Sequence, residues 1–248
     1  MSAYAELQVT SNFSFLRGGS HATELVATAK ALGLSAIAIT DRNTISGIVR
    51  GHVAALEADL QFIVGARLDF SDGAPSLLCF PSDRAAYGRM TKLISQGQRR
   101  TKKGECDLRY DDLLAVSDGA NRFCDGQVFI VTAPAALDAP FISYLERIGR
   151  DFPGNAYLAA TRLYGAQDLK RLHRLNDLAQ RAGTPMVATG DVLYHSPSRR
   201  PLQDVLTCIR EKCTLAQAGF KLEANAERHI KSPEEMKRLF ADFPHAIK

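Results

Sequence analysis

The chain predicts an α/β protein whose strands run parallel and are joined by helical crossovers. Two observations carry this. Short apolar runs alternate with amphipathic helical segments along most of the 248 residues, and strand–helix units of that length call for parallel pairing. In addition, no internal repeat or low-complexity segment interrupts the alternation. About seven such units fit either a closed, irregular barrel or an open sheet.

The elements follow in order. Ala5–Thr10 reads as a short strand. Thr23–Leu32 reads as a helix with Leu25, Val26, Ala29 and Leu32 on one face, ended by Gly33,. AIAIT at 36–40 is a buried strand, Ile45–Ala58 a helix, and Gln61–Val64 and Ser76–Phe80 are strands. Ala85–Ser95 spaces Tyr87, Met90, Leu93 and Ile94 for one helical face,. Beyond a basic loop, Tyr110–Val116 is a short helix, Gln127–Thr132 a strand, Phe141–Arg150 a helix and Ala156–Ala160 a strand. Ala166–Arg181 is a strongly periodic helix, Met186–Thr189 a strand and Pro201–Arg210 a helix. Ser232-Pro233-Glu234-Glu235 opens the last helix with a capping box and a first-turn proline,. From Ser196 onward, with Pro197 and Pro201, the chain turns to a helical extension, so the expected division is 1–195 and 196–248.

Composition narrows the class. Hydrophobic residues make up 46% and charged residues 23%, which is ordinary for a globular protein,. The longest apolar runs are far too short to span a bilayer, so no membrane partner is expected,. MSAYAEL lacks a basic start followed by an apolar stretch, so no export signal is read,. Five cysteines, an odd number without a C-x-x-C pair, argue for a reducing cytoplasmic setting rather than a disulfide framework,. A net charge of +4 is compatible with work near nucleic acid,. The basic residues gather at Arg99, Arg100, Lys102 and Lys103, either a solvated loop or a contact for phosphates,. There is no Walker-type loop, no Gly-x-Ser-x-Gly elbow and no Cys–His pair at nucleophile spacing,.

The opening stretch YAELQVTSNFSFLRGGS resembles the first motif of the PHP domain, and more narrowly that of the error-prone branch of bacterial DNA polymerase III alpha subunits. RGHVAAL, KKGEC, PLQDVLTCIR, NAERH and SPEEMKRLFADFP extend the resemblance from Tyr4 to the end of the sequence. The resemblance implies a seven-stranded, distorted TIM-like barrel, the closed alternative above, with a polynuclear metal site at the strand ends. In that family the first strand ends in His-x-His-Ser; here those positions read Gln8 and Thr10, followed by Ser11. TDRNTISG matches a Thr-Asp-His-Gly segment, keeping Asp41 and placing Arg42 at the histidine. IVGARLDF carries Arg67 where a glutamate is usual, and ATGDVLYH keeps Asp191 but has Leu193 for a histidine.

An amide and a hydroxyl are poor replacements for imidazole ligands, and arginine cannot become a ligand at all. The expectation is therefore a degenerate site at Gln8, Thr10, Asp41, Arg42, Arg67, Asp191 and Leu193, without metal. Salt bridges from Asp41 or Asp191 to Arg42 or Arg67 would replace it. His195 reads as a hydrogen-bonded loop histidine rather than a ligand. The resemblance implies a catalytically inactive module in front of a polymerase palm. The longer enzyme would use magnesium and dNTPs for synthesis past DNA damage, with DNA, the remaining polymerase domains and translesion accessory proteins as partners. A free-standing, metal-dependent PHP phosphoesterase is the alternative, and the missing histidines are what separate the two.

Overall fold

The computed structural model describes residues 4–117, 119 and 122–247, so Met1, Ser2 and Ala3 of the opening MSAYAEL lie outside the described residues. The strands are β1 (Ala5–Glu6), β2 (Ala36–Ile39), β3 (Gln61–Val64), β4 (Ala66–Leu68), β5 (Leu77–Pro81), β6 (Gln127–Val131), β7 (Ala156–Ala160) and β8 (Met186–Ala188). The helices are α1 (Ala22–Ala31), α2 (Ile48–Glu57), α3 (Arg84–Arg99), α4 (Asp112–Ala115), α5 (Ala139–Asp151), α6 (Asp168–Ala182), α7 (Arg200–Glu211), α8 (Leu215–Ala218) and α9 (Pro233–Leu239). No described helix is long and apolar enough to cross a membrane.

Two compact units divide the chain. One takes Met1–Val64, Thr161–Asp168 and Ala188–Lys248; the other takes Gly65–Ala160 and Leu169–Val187. Both are discontinuous, because the chain leaves the first unit and returns to it.

In the first unit β1, β2 and β3 pair in parallel, with Ile37 opposite Glu6 and Phe62. All four residues of β2 are buried, as expected of a strand covered on both faces,. α1 buries Leu25, Val26 and Ala29. α9 starts with the expected proline but with only half of the expected capping box: Ser232 accepts the Glu235 amide at 3.2 Å and Pro233 takes the first helical position, where its missing N–H costs nothing, while the Glu235 carboxylate accepts from Tyr164 and Arg238,.

The second unit carries the order β4-β5-β6-β7-β8. Here the expectation of purely parallel strands fails. β4–β5 and β5–β6 are antiparallel, and only β6–β7 is described as parallel. The Asp69–Ser76 connection is too short for a crossover, so β5 must fold back on β4. The excursion through α3 and α4 begins and ends where β5 and β6 lie side by side, and there the Ser82 amide donates to Gly126 O at 2.8 Å. α3 runs from an Asp83 cap, which accepts the Ala86 amide at 2.7 Å, to Arg99, beyond the expected end at Ser95. Phe129 and Phe152 stack in the core with ring centroids 4.5 Å apart.

The strand count also differs from the expected seven. Among the described residues there are eight strands in hydrogen-bonded sets of three and five, with no closed barrel. β4 escaped the sequence reading because three residues centred on an arginine give almost no periodic signal,.

Candidate functional site

The first unit brings together the strand ends singled out in the sequence. β1 stops at Glu6, but the chain stays extended, and Val9 forms a parallel bridge with Val192. The Thr10 amide donates to Val192 O at 2.9 Å, and the Val192 amide donates to Gln8 O at 2.8 Å. On the other side the Thr40 amide donates to Val9 O at 2.8 Å. The residues at the first, second and fourth motif positions are thus neighbours. The third, Arg67, belongs to the second unit.

Asp41 is 1% exposed. Its carboxylate accepts the Ser11 amide at 2.9 Å and the Ser11 and Ser14 hydroxyls at 2.6 Å each. The Ser14 oxygen in turn accepts the Arg42 amide at 3.0 Å. Burial raises the Asp41 pKa, and the three hydrogen bonds only partly offset it,. Gly47 closes this pocket: a Cβ there would lie 2.6 Å from Asp41 Oδ2 and 3.1 Å from Ser11 Oγ.

Asp191 is held by charge. Its backbone is left-handed, with φ 45°. One carboxylate oxygen lies 2.5 Å from an Arg228 guanidinium nitrogen, and the Gln8 amide donates to the other at 2.8 Å. Arg228 Nε also donates to the Asp191 carbonyl at 2.9 Å, while Nη1 donates to Glu223 at 2.6 Å. Burial works against the Arg228 charge, but Asp191 and Glu223 outweigh it and raise its pKa. Gln8 completes the arrangement by accepting the Thr189 hydroxyl at 2.8 Å.

A third carboxylate, unforeseen in the sequence, sits beneath these two. Glu6 is 1% exposed and accepts the Gly190 amide at 2.9 and 3.1 Å, the Gln8 amide at 3.0 Å and the Tyr4 hydroxyl at 2.8 Å. Burial raises its pKa, while these bonds and the Lys231 charge pull the other way. Gly190 is needed here because a Cβ would meet Glu6 Oε2 at 2.6 Å.

Of the expected salt bridges, those to Asp41 take a different form. Among the described residues Asp41 is met by hydroxyls and an amide instead of a guanidinium, and Asp191 has Arg228 as a partner that was not expected. Arg67 pairs locally, with Asp69 at 2.9 Å and Ser76 at 3.1 Å. Adjacent side chains on one edge reach each other at less entropic cost than distant ones. Thr10 and Leu193 are buried. His195 Nδ1 shares a 2.8 Å hydrogen bond with Ser20 Oγ, which also accepts the His195 amide at 3.0 Å. Arg228 and Glu223 were missed although Arg228 lies within NAERH, because a motif recognised as a block gave no role to its members. Ser14 was missed because a lone serine carries no spacing signal.

This donor set does not fit a polynuclear metal centre. Among the described residues no group of three or more His, Cys, Asp and Glu side chains is placed to hold a metal ion. The two motif carboxylates are already bound by hydroxyls and by a guanidinium, and neither partner can be shared with a cation at no cost.

The basic cluster lies in the second unit. Arg99 ends α3, and Arg100 forks onto Asp112 at 2.5 and 2.8 Å and reaches Asp107 O at 3.2 Å. Lys102 and Lys103 are exposed. Arg100 is thus engaged within its own fold.

Comparison with known proteins places this geometry. The chain is 55% identical over 244 residues to an error-prone DNA polymerase of Caulobacter vibrioides and 47% identical over 256 residues to one of Bradyrhizobium diazoefficiens. These alignments cover 98% and 99% of the chain but only 22% of each relative, so the chain spans about a fifth of their length. Among solved structures it resembles an amidohydrolase of Chromobacterium violaceum, solved with sulfate and no metal, at a TM-score of 0.54 and 16% identity, covering 77% of this chain and 88% of that one. It also resembles a candidate metal-dependent phosphoesterase of Bifidobacterium adolescentis, at 0.55 and 15%, covering 97% and 96%. Identities this low speak for the fold alone. The PHP domain model matches residues 6–137, more than half of the sequence, and the chain belongs to the PHP domain family.

Proposed function

We propose that this chain is the N-terminal PHP portion of an error-prone DNA polymerase and is itself a catalytically inactive supporting module. The observation that carries the reading is the Arg228 guanidinium seated on Asp191, 2.5 Å from its carboxylate, at the motif position where a metal ligand would stand. A cation brought there would face a fixed positive charge. The identity to error-prone polymerases along the chain supports the parent enzyme. That parent would carry out template-directed DNA synthesis past damage in the cytoplasm, with magnesium held by residues of its palm.

The finer architecture belongs to the same proposal. The Val9–Val192 bridge joins the first and last motif strands, a pairing that supports a closed, irregular PHP barrel,. Residues 1–195 would make that barrel, and the helical 196–248 would lead toward the palm. Lys102 and Lys103 would contribute a salt-dependent contact to the template backbone, and accessory proteins of translesion synthesis would be further partners.

The competing reading is a free-standing phosphoesterase, which the structural neighbours bring to mind through their fold. Metal analysis of the purified chain, with phosphomonoester and phosphodiester turnover assayed in manganese and zinc, separates the two. The expected result is no stoichiometric metal and no turnover. Stoichiometric metal together with turnover would overturn the proposal.

A further inference from the structure

Two cysteines occupy linked positions at one helix end. α7 closes in a left-handed residue, Lys212, at φ 53° and ψ 45°. The Lys212 amide donates to Ile209 O at 3.3 Å, and the Cys213 amide donates to Cys208 O at 3.0 Å. This pair of bonds is the Schellman arrangement. It folds the chain back so that the residue after the left-handed one approaches the third residue from the helix end, where two apolar side chains usually meet. Here both positions are cysteine.

The sulfurs share one environment. Both residues line a groove with Val205, Ile209 and Leu215. Burial comes first, and the neighbouring Cys213 second, among the causes that raise the Cys208 pKa. Cys208 is 6% exposed, whereas Cys213 is half-buried. On the far side Thr214 anchors the next helix, its amide and hydroxyl both bonded to Gln217 Oε1 at 3.1 and 3.0 Å. Cys213 is therefore held between two helix caps. Both thiols are reduced in this structure, as are Cys79, Cys106 and Cys124.

We propose that Cys208 and Cys213 are a modification site that closes to a reversible intrachain disulfide on exposure to a hydroperoxide. The more accessible Cys213 thiolate attacks the peroxide oxygen, breaking the O–O bond. It becomes a sulfenic acid, and the released hydroxide leaves as water with a proton from solvent. The Cys208 sulfur then attacks the sulfenic sulfur. The S–S bond forms as the S–O bond breaks, and the departing hydroxide takes the Cys208 proton. Overall, two thiols are oxidised to one disulfide and one hydroperoxide is reduced. The modification would rivet the end of α7 to the start of α8, and it holds whether or not the polymerase reading does.

The test is native oxidation of the whole chain with hydrogen peroxide, followed by alkylation and peptide mapping without reduction. The expected product joins Cys208 to Cys213, is lighter by about 2 Da, and forms before the other three thiols react. A thiol reductant should restore both alkylation sites. In Cys213→Ser the Cys208 thiol should stay reduced under the same dose. Over-oxidation of Cys213 with Cys208 untouched would overturn the proposal. So would a cross-link that forms only in urea, or no faster than pairs among the remaining cysteines. Mapping of the unmodified chain decides the matter even if the serine variant folds poorly.

Discussion

Asp41 and Asp191 occupy equivalent places in the family's motif pattern, yet the chain treats them in opposite ways. Asp41 is fully enclosed and met by neutral donors, the Ser11 and Ser14 hydroxyls and an amide. Asp191 is half-buried, set on a left-handed backbone and neutralised by Arg228. The first solution relies on burial with hydrogen bonds, the second on an ion pair supplied from a distant stretch of sequence. The comparison teaches that two carboxylates at neighbouring strand ends can be satisfied by different physics, each by the donors its own surroundings supply.

The largest test of this contrast is Arg228→Met, which strands Asp191 and Glu223 without their shared cation. Losing one partner of a fully buried pair costs about 3–5 kcal/mol, and the partial exposure here brings the expected loss to about 2–3 kcal/mol in urea unfolding. A loss below about 0.5 kcal/mol would mean the pair is ornamental. Gly47→Ala probes the other pocket by steric means alone. The new methyl must displace Asp41 Oδ2 or Ser11 Oγ, so a loss of about 2 kcal/mol is expected,. An unchanged midpoint would show that the Asp41 pocket has slack.

Gln8→Leu removes the neutral link between Thr189 and Asp191. About 1 kcal/mol is expected, since Arg228 still holds the carboxylate. A loss as large as that of Arg228→Met would erase the distinction between charged and neutral support.

The smallest effect is in pH. Burial places the folded pKa of Asp41 above its unfolded value near 3.8, so its proton-linked stabilisation is complete below that value and fades as pH rises through the folded pKa,. Asp41→Asn stays neutral throughout. Its deficit against the unmodified chain should be widest near pH 4 and narrow toward pH 7, read from urea midpoints. A gap that widens with pH would reverse the sign and show that the hydroxyls outweigh burial.

Much of this was legible in the sequence, though unevenly. Gln61–Val64 and Ala156–Ala160 were placed to the residue, because each is a short apolar run between clear breakers. The antiparallel return at β4–β5 was not, since strand direction depends on what a short connection can reach. At the site, the strand ends that meet in the first unit were singled out, but the partners of their side chains were not. Arg228 is far along the chain from Asp191, and no local period links them. Ser14 and Gly47 act through distance and space, which sequence spacing does not encode.

Arg228 grips Asp191 twice, through the carboxylate and through the main-chain carbonyl, while its own carbonyl accepts the Leu193 amide at 2.9 Å. Any cation engineered onto the Asp191 carboxylate would therefore have to displace a guanidinium that two main-chain hydrogen bonds keep in register, so such a redesign would have to begin at residue 228, not at the strand ends.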